Sequence, residues 1–480
     1  MKGAGEMENS IVETNLQNRT LEKEIIANFL LRIKEGLSSN VEDRVLYLYG
    51  IGMIGKSTLL DWTHFVAAKE NQIKSALVDF DREGKMPRRS QRSRLVGNCY
   101  DDESGRVQLA QDLYEQFTGG SLQTQEAEKV STEFVHFANN SNEPLLIILD
   151  TIEDANQASF RWLQEEIIAP LLPTGKLGVI YAGLTKSENS KLYFPWAINR
   201  FLVTHHLRPF NENDTKIFNA SLAPELIISY KDTYGVPGYI KKLVVENRKK
   251  EPAVPQLENK LGFVVENIIL KPRQKQLALA VGKIKEYLRV AAIFRQFDDR
   301  LVENITRNPV LFNQNQSTDS GASLIREFLN TRLVEQHPDG YGYYIPHDVR
   351  RILDENLRET NLHKHFTICK EAFMWYRDEF QDGDAVSLAD QIYYILEAWK
   401  DFNLDSSLQI PIGMPTYKSI NNQGESLAKF LLDGIAKVKN YPKRHTLIGK
   451  ISRVIDGEEF GWFLNQEEIN LLKALCENNL

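Results

Sequence analysis

Gly50, Gly55, Lys56 and Ser57 stand at the spacing G-x-x-x-x-G-K-S, within Gly50-Ile51-Gly52-Met53-Ile54-Gly55-Lys56-Ser57-Thr58. Glycines at this spacing let the backbone curl its N–H groups round a phosphate, and the helix that follows adds the positive end of its dipole. Lys56 has the reach to meet the β- and γ-phosphates of a nucleoside triphosphate, and the Ser57 hydroxyl can ligate Mg²⁺. A second run, Asp150-Thr151-Ile152-Glu153-Asp154, closes the apolar stretch at 145–149. A carboxylate at the end of a strand lies where α/β sheets bind ligands, so Asp150 is expected to hold Mg²⁺, with a helix cap as the alternative. Glu153 or Asp154, just beyond, is placed to orient or deprotonate an attacking water. The expected cofactors are ATP or ADP and Mg²⁺.

These residues need a strand to end at each of them. Val45-Leu46-Tyr47-Leu48-Tyr49 is a short apolar, β-prone run that stops at Gly50, and residues 57–69 carry a helical pattern. Further strands are read at 75–80, 145–149, 177–182 and 200–206, with helices at 107–117 and 126–139 between them. Residues 82–105 are polar and read as a loop, with Arg88, Arg89, Arg92 and Arg94 clustered in it. The alternation predicts an α/β P-loop NTPase domain over residues 18–210, a parallel sheet with helices on both faces. Residues 1–17 read as a flexible polar lead-in. Asn211 is placed as the N-cap of a helix that opens a small helical lid domain, 211–268. In residues 269–355 several helices precede two short β runs around Pro338-Asp339-Gly340, which predicts a winged-helix domain. Residues 356–480 read as a helical C-terminal domain with no repeat of fixed period.

At 480 residues the chain is long enough for three or four domains. Its 58 basic and 65 acidic residues give a net charge of -7, so no chain-wide basic field draws it to polyanions. On that ground nucleic acid is not expected as a partner. The longest clean apolar run, 145–149, is far too short to cross a bilayer, so no membrane partner is expected either. Cys99, Cys369 and Cys476 are odd in number and widely spaced, which builds neither a disulfide framework nor a zinc site. The opening residues show no secretory signal, and a cytoplasmic protein is expected.

Taken in order, these landmarks resemble the STAND class of signal-transduction NTPases, whose relatives include the NB-ARC and NACHT proteins. That class joins an AAA+-like ATPase module to a helical domain and a winged helix, and the resemblance covers roughly residues 17–355. Asn18-Arg19 followed by Glu22 looks like the Gly-Arg-x-x-Glu that precedes such modules, which implies a place for Arg19 beside the nucleotide. The loop at 50–58 is similar to Gly-x-Gly-Gly-x-Gly-Lys-[ST]-Thr, with Met53 where glycine is common. The resemblance thus implies nucleotide contacts from Gly50, Gly52, Gly55, Lys56, Ser57 and Thr58. His206-Leu207-Arg208-Pro209-Phe210 looks like the strand exit that begins the helical domain. Tyr234-Gly235-Val236-Pro237-Gly238 resembles the Gly-x-Pro motif, which implies that Pro237 packs near adenine. Ile345-Pro346-His347-Asp348 resembles the Met-His-Asp motif, which implies that His347 reads the β-phosphate of ADP.

One landmark departs from the pattern. The fourth strand ends Tyr181-Ala182-Gly183-Leu184-Thr185-Lys186, where relatives place an arginine as γ-phosphate sensor. Thr185, Lys186 and Arg200 are the candidates to replace it, and slow hydrolysis or a neighbour's arginine is implied. The class implies a slow ATPase used as a switch, in which ADP/ATP exchange controls conformation and oligomerisation for signalling or defence. A homo-oligomer in the ATP state and a separate effector or sensor protein follow from the same resemblance. A second reading stays open: an AAA+ DNA-binding ATPase of the replication-initiator kind, whose winged helix reads duplex DNA.

Overall fold

A computed structural model describes residues 16, 18–35, 43–80, 103–122, 124, 126–184, 194–223, 226, 228–248, 281–312, 320–331, 333–336, 342–379 and 385–409. The arginine cluster at 88–94, the turn at 338–340 and residues 410–480 lie outside these. The chain divides into two compact units, Met1–Ile269 and Leu270–Leu480.

The first unit is built on five parallel strands: β1 (Val45–Tyr49), β2 (Lys74–Asp79), β3 (Leu145–Asp150), β4 (Leu177–Gly183) and β5 (Leu202–His206). Their order across the sheet is β2-β3-β4-β1-β5. All residues of β3 and β4 are buried, so both strands read as unbroken apolar runs, as strands covered on both faces do. Strand β5 is the edge and keeps only half-buried and exposed residues. The registers Tyr49↔Gly183, Tyr49↔His206 and Asp79↔Asp150 bring the carboxyl ends of all five strands to one edge.

Helices cover the faces. They are α1 (Thr20–Glu35), α2 (Lys56–Trp62), α3 (Glu103–Thr118), α4 (Ala127–Asn140), α5 (Gln157–Trp162) and the short α6 (Trp196–Asn199). Helix α2 continues through a π turn, Thr63–Ala67, and α5 through another, Leu163–Ile168. Helix α5 is capped by Asn156, whose side chain accepts from the backbone N–H groups of Ala158 and Ser159. Three further helices follow the sheet: α7 (Glu212–Leu222), α8 (Tyr230–Thr233) and α9 (Pro237–Arg248). Asn211 caps α7 as its sequence position predicts, accepting from Asp214 N–H at 2.8 Å.

In the second unit α10 (Val281–Ala291), α11 (Asp299–Thr306), α12 (Pro309–Phe312) and α13 (Gly321–Asn330) precede a hairpin of β6 (Glu335–Gln336) and β7 (Tyr343–Tyr344). Phe297 adds a third strand position, exchanging both backbone hydrogen bonds with Tyr343 at 2.8 and 2.7 Å. Helices followed by this small antiparallel sheet make the winged-helix part. Helices α14 (His347–Thr360), α15 (Leu362–Glu379) and α16 (Ala385–Leu404) complete the unit.

A buried ionic cluster ties these last three helices together. Arg358 of α14 donates to Asp401 at 2.8 Å, pairs with Glu355 at 2.9 Å and reaches Glu397. His365 of α15 sets Nε2 against Asp354 at 2.8 Å and Nδ1 against Asp401. Lys400 of α16 donates to Glu355 at 2.6 Å. A buried charge is tolerated only when paired in this way. Among the described residues no helix is long and apolar enough to cross a membrane.

Candidate active site

The loop from β1 to α2 lies at the carboxyl edge of the sheet, and four of its carbonyls are tied down. Lys56 Nζ donates to Gly50 O at 2.6 Å and to Ile51 O at 3.0 Å. Gly238 N–H donates to Met53 O at 3.0 Å, and Arg19 Nη2 donates to Ile54 O at 2.8 Å. In a planar trans peptide the N–H points opposite to the C=O. Fixing these carbonyls therefore turns the amides of Ile51, Gly52, Ile54 and Gly55 the other way, the arrangement a phosphate cradle requires. Ser57 and Thr58 follow, half-buried in the first turn of α2.

Asp150 ends β3 and is 1% exposed. Its Oδ1 accepts from Thr151 N–H at 2.9 Å, and the Thr151 hydroxyl donates to Asp79 Oδ1 at 3.0 Å, fastening the ends of β2 and β3. Thr151 adopts the left-handed conformation, φ 56°, and starts the 3-10 turn Ile152–Asp154 that carries both acids. Glu153 Oε2 is shut off from solvent. Burial pushes the Glu153 carboxyl up to about 7, against the opposing pull of the Lys56 charge. Asp154 stays half-buried on the same turn.

Between the loop strand and the acid strand lies β4, and its last residue shapes the site. A Cβ on Gly183 would stand 3.3 Å from Glu153 Oε2 and would strike the Tyr47 hydroxyl. Only the bare backbone of Gly183 leaves room for Glu153 to lean across the end of β4. Neither Gly183 nor Tyr47 is marked by a motif. A glycine ending an otherwise apolar strand was the available signal.

Arg19 comes to the loop from outside the sheet. Its Nη1 donates to Glu22 at 2.8 Å and to Arg208 O at 2.9 Å, and its guanidinium lies 4.6 Å from the centre of the Phe210 ring. Burial lowers its pKa, with Glu22 opposing. Three of its five N–H donors are thus taken by protein groups, and it meets the loop at Ile54 O. The Gly235-Val236-Pro237 segment also arrives here: Phe210 N–H donates to Gly235 O at 2.8 Å, and Pro237 begins α9 beside Met53. His347 belongs to the second unit, exposed in the first turn of α14, where it lines a pocket with both basic (Arg350, Arg351, Lys400) and acidic (Asp354, Glu355, Glu397) residues. Of the sensor candidates, Thr185 and Lys186 lie outside the described residues. Arg200 lies over the rings of Trp196 and Phe201, at 5.4 and 4.5 Å.

No protein-family model and no curated protein matches the chain. Solved structures do. The ORC2 protein of Aeropyrum pernix, determined in ADPNP–ADP complexes, is 16% identical over 72% of this chain and 95% of that one, with a TM-score of 0.42. A Signal Transduction ATPase with Numerous Domains protein from Pyrococcus horikoshii, which carries a tetratricopeptide repeat sensor, is 15% identical over 94% of this chain and 62% of that one, with a TM-score of 0.26. The Aeropyrum pernix ORC1 protein in complex with DNA is 15% identical over 71% of this chain and 92% of that one, with a TM-score of 0.31. The strand order and the glycine loop give the first unit a P-loop type of α/β fold, followed by helical segments and a winged-helix hairpin.

One expectation is corrected. Nucleic acid was not expected as a partner because the chain is acidic overall, yet the similar structures include ORC proteins determined with DNA. The error lies in the inference from net charge. A total of -7 over 480 residues says nothing of the charge on one face of one domain.

Proposed function

We propose that the chain binds ATP with Mg²⁺ in the loop at 50–58 and hydrolyses it, using the reaction to set the position of its small helical part. The observation that carries this reading is Glu153: a carboxyl pushed up to about 7 that leans across Gly183 between the phosphate loop and Asp150. A general base works best when its pKa lies near the working pH. The donor set suits the metal, since the Ser57 hydroxyl and the Asp150 carboxylate are hard oxygen ligands. When bound, Mg²⁺ would supply charge neutralisation on the phosphates.

The protein's own groups do the rest. Lys56 leaves the carbonyls of Gly50 and Ile51 for the phosphates, and the loop amides hold the triphosphate in place. Glu153 takes a proton as the water oxygen bonds to the γ-phosphorus and the bond from that phosphorus to the ADP oxygen breaks. The decisive measurement is ATP retention and turnover by the full chain beside Lys56→Ala. The variant should hold no nucleotide, and wild-type turnover should rise with pH to a plateau above about 7. Equal retention by the two proteins would refute the reading.

Duplex DNA is the second reading, favoured by the arrangement of helices followed by a hairpin in the second unit. A winged helix of this layout can lay one helix in a groove. Genuine duplex binding would weaken steeply with added salt. Binding that ignores salt, or none at all, would remove it.

A further inference from the structure

Met53 takes the left-handed conformation, φ 59°, at the position where glycine is common in the motif that the loop resembles. Only glycine adopts this conformation freely, so a methionine there needs something to hold it. What holds it is helix α9. The first residue of α9, Pro237, has no N–H, so Gly238 supplies the first free donor of the helix. That donor goes to Met53 O at 3.0 Å. The phosphate loop therefore supplies the acceptor at the N-terminal end of α9. The approach is close on the side-chain side too: a Cβ on Gly238 would lie 2.8 Å from Met53 Cβ, 2.9 Å from Met53 O and 3.1 Å from Met53 Cε. Met53 itself is 41% exposed, so the core does not dictate its shape.

We infer that Met53 is a positioning residue that couples the phosphate loop to helix α9, so that phosphate in the loop and docking of α9 stabilise each other. The inference rests on the ATP reading proposed above. Its logic is the peptide plane between Met53 and Ile54. A phosphate that takes the Ile54 N–H fixes that plane, and the same plane aims Met53 O at Gly238. Without Gly238 the plane is free to turn, and the loop loses one of its four fastened carbonyls.

Hydrogen exchange of the full chain, with and without a nonhydrolysable ATP analogue and Mg²⁺, tests this. In wild type the analogue should slow exchange both in the loop at 50–58 and in the first turn of α9. In Gly238→Ala the loop should still be protected while the added protection of α9 falls at least tenfold. Met53→Gly keeps the carbonyl and introduces no bulk, but glycine takes or leaves the left-handed conformation without α9 to hold it. This variant should therefore also weaken the coupling, and it guards against a folding failure of the first. Protection of the loop with no change at α9 in wild type would overturn the coupling and leave the ATP reading intact. Protection at neither place would overturn the ATP reading and the coupling with it. Full coupling retained in both variants would show that Met53 and Gly238 are merely neighbours.

Discussion

Replacing Glu153 by glutamine should stop the reaction and strengthen the fold together. Glu153 titrates near 7 where an unburied glutamate titrates at 4.5, because burial outweighs the favourable charge of Lys56. The folded state therefore holds the proton more tightly than the unfolded state. The stability that this lends is complete below pH 4.5 and is lost as pH rises to 7. At about 1.4 kcal/mol per pH unit, the ionised carboxylate costs the native state about 3 kcal/mol at pH 8 and under about 1 kcal/mol at pH 5. Glu153→Gln keeps the shape and removes the charge. It should thus stabilise the first unit by about 2 to 3 kcal/mol at pH 8, much less at pH 5, and slow hydrolysis at least about 100-fold. Exchange protection of the β3 and β4 amides, compared with wild type at each pH, reads the stability, and phosphate release reads the turnover. A variant less stable than wild type at pH 8, or a difference that does not change with pH, would refute the burial argument. Normal turnover would refute the role as base.

Asp150→Asn should retain nucleotide but lose Mg²⁺-dependent turnover at least about tenfold; unchanged turnover would mark Asp150 as a structural cap. Arg19→Lys cannot span Glu22, Arg208 O and Ile54 O with one ammonium, so it should cost about 2 to 4 kcal/mol and weaken ATP retention. A thermal-shift and nucleotide-retention pair checks this. For His365 the sign is the same as for Glu153, stability falling as pH rises, but here the fold favours the charged form. Burial and Arg358 oppose the imidazolium, but Cys369, Asp401 and Asp354 prevail and raise its pKa well above 6.5. Its contribution is complete below about 6.5 and fades as pH rises toward the folded pKa. Exchange protection of α14 and α15 should therefore fall above pH 6.5 in wild type, and His365→Gln should abolish that fall.

The strand before the glycine loop and the strand ending at Asp150 are readable from sequence because each is a continuous apolar run closed by a recognisable residue pattern. Asn211 is readable for the same reason, since a cap residue acts on the backbone beside it. What sequence hides is contact across distance. Gly183 matters only because β4 lies between β1 and β3, and strand order is not written in any local pattern. The contact of Met53 with Gly238 joins residues far apart in the chain. The charges of α14, α15 and α16 read as ordinary solvated helix faces until three helices turn them toward one another. Arg19 is legible as important but not in its manner of acting. The resemblance implies a place beside the nucleotide, whereas its geometry gives three of its donors to two carbonyls and a carboxylate.

The few residues before α1 set a practical limit on dissection. Leu16 is buried, Asn18 donates to Asp214 O at 2.6 Å in α7, and Arg19 reaches Ile54 O. A fragment that began at Thr20 would keep every strand and helix of the sheet domain, yet would lose these fastenings to the phosphate loop and to the helices that follow the sheet. Where the sheet domain is cut therefore decides how firmly its loop is held, even when every strand and helix is kept.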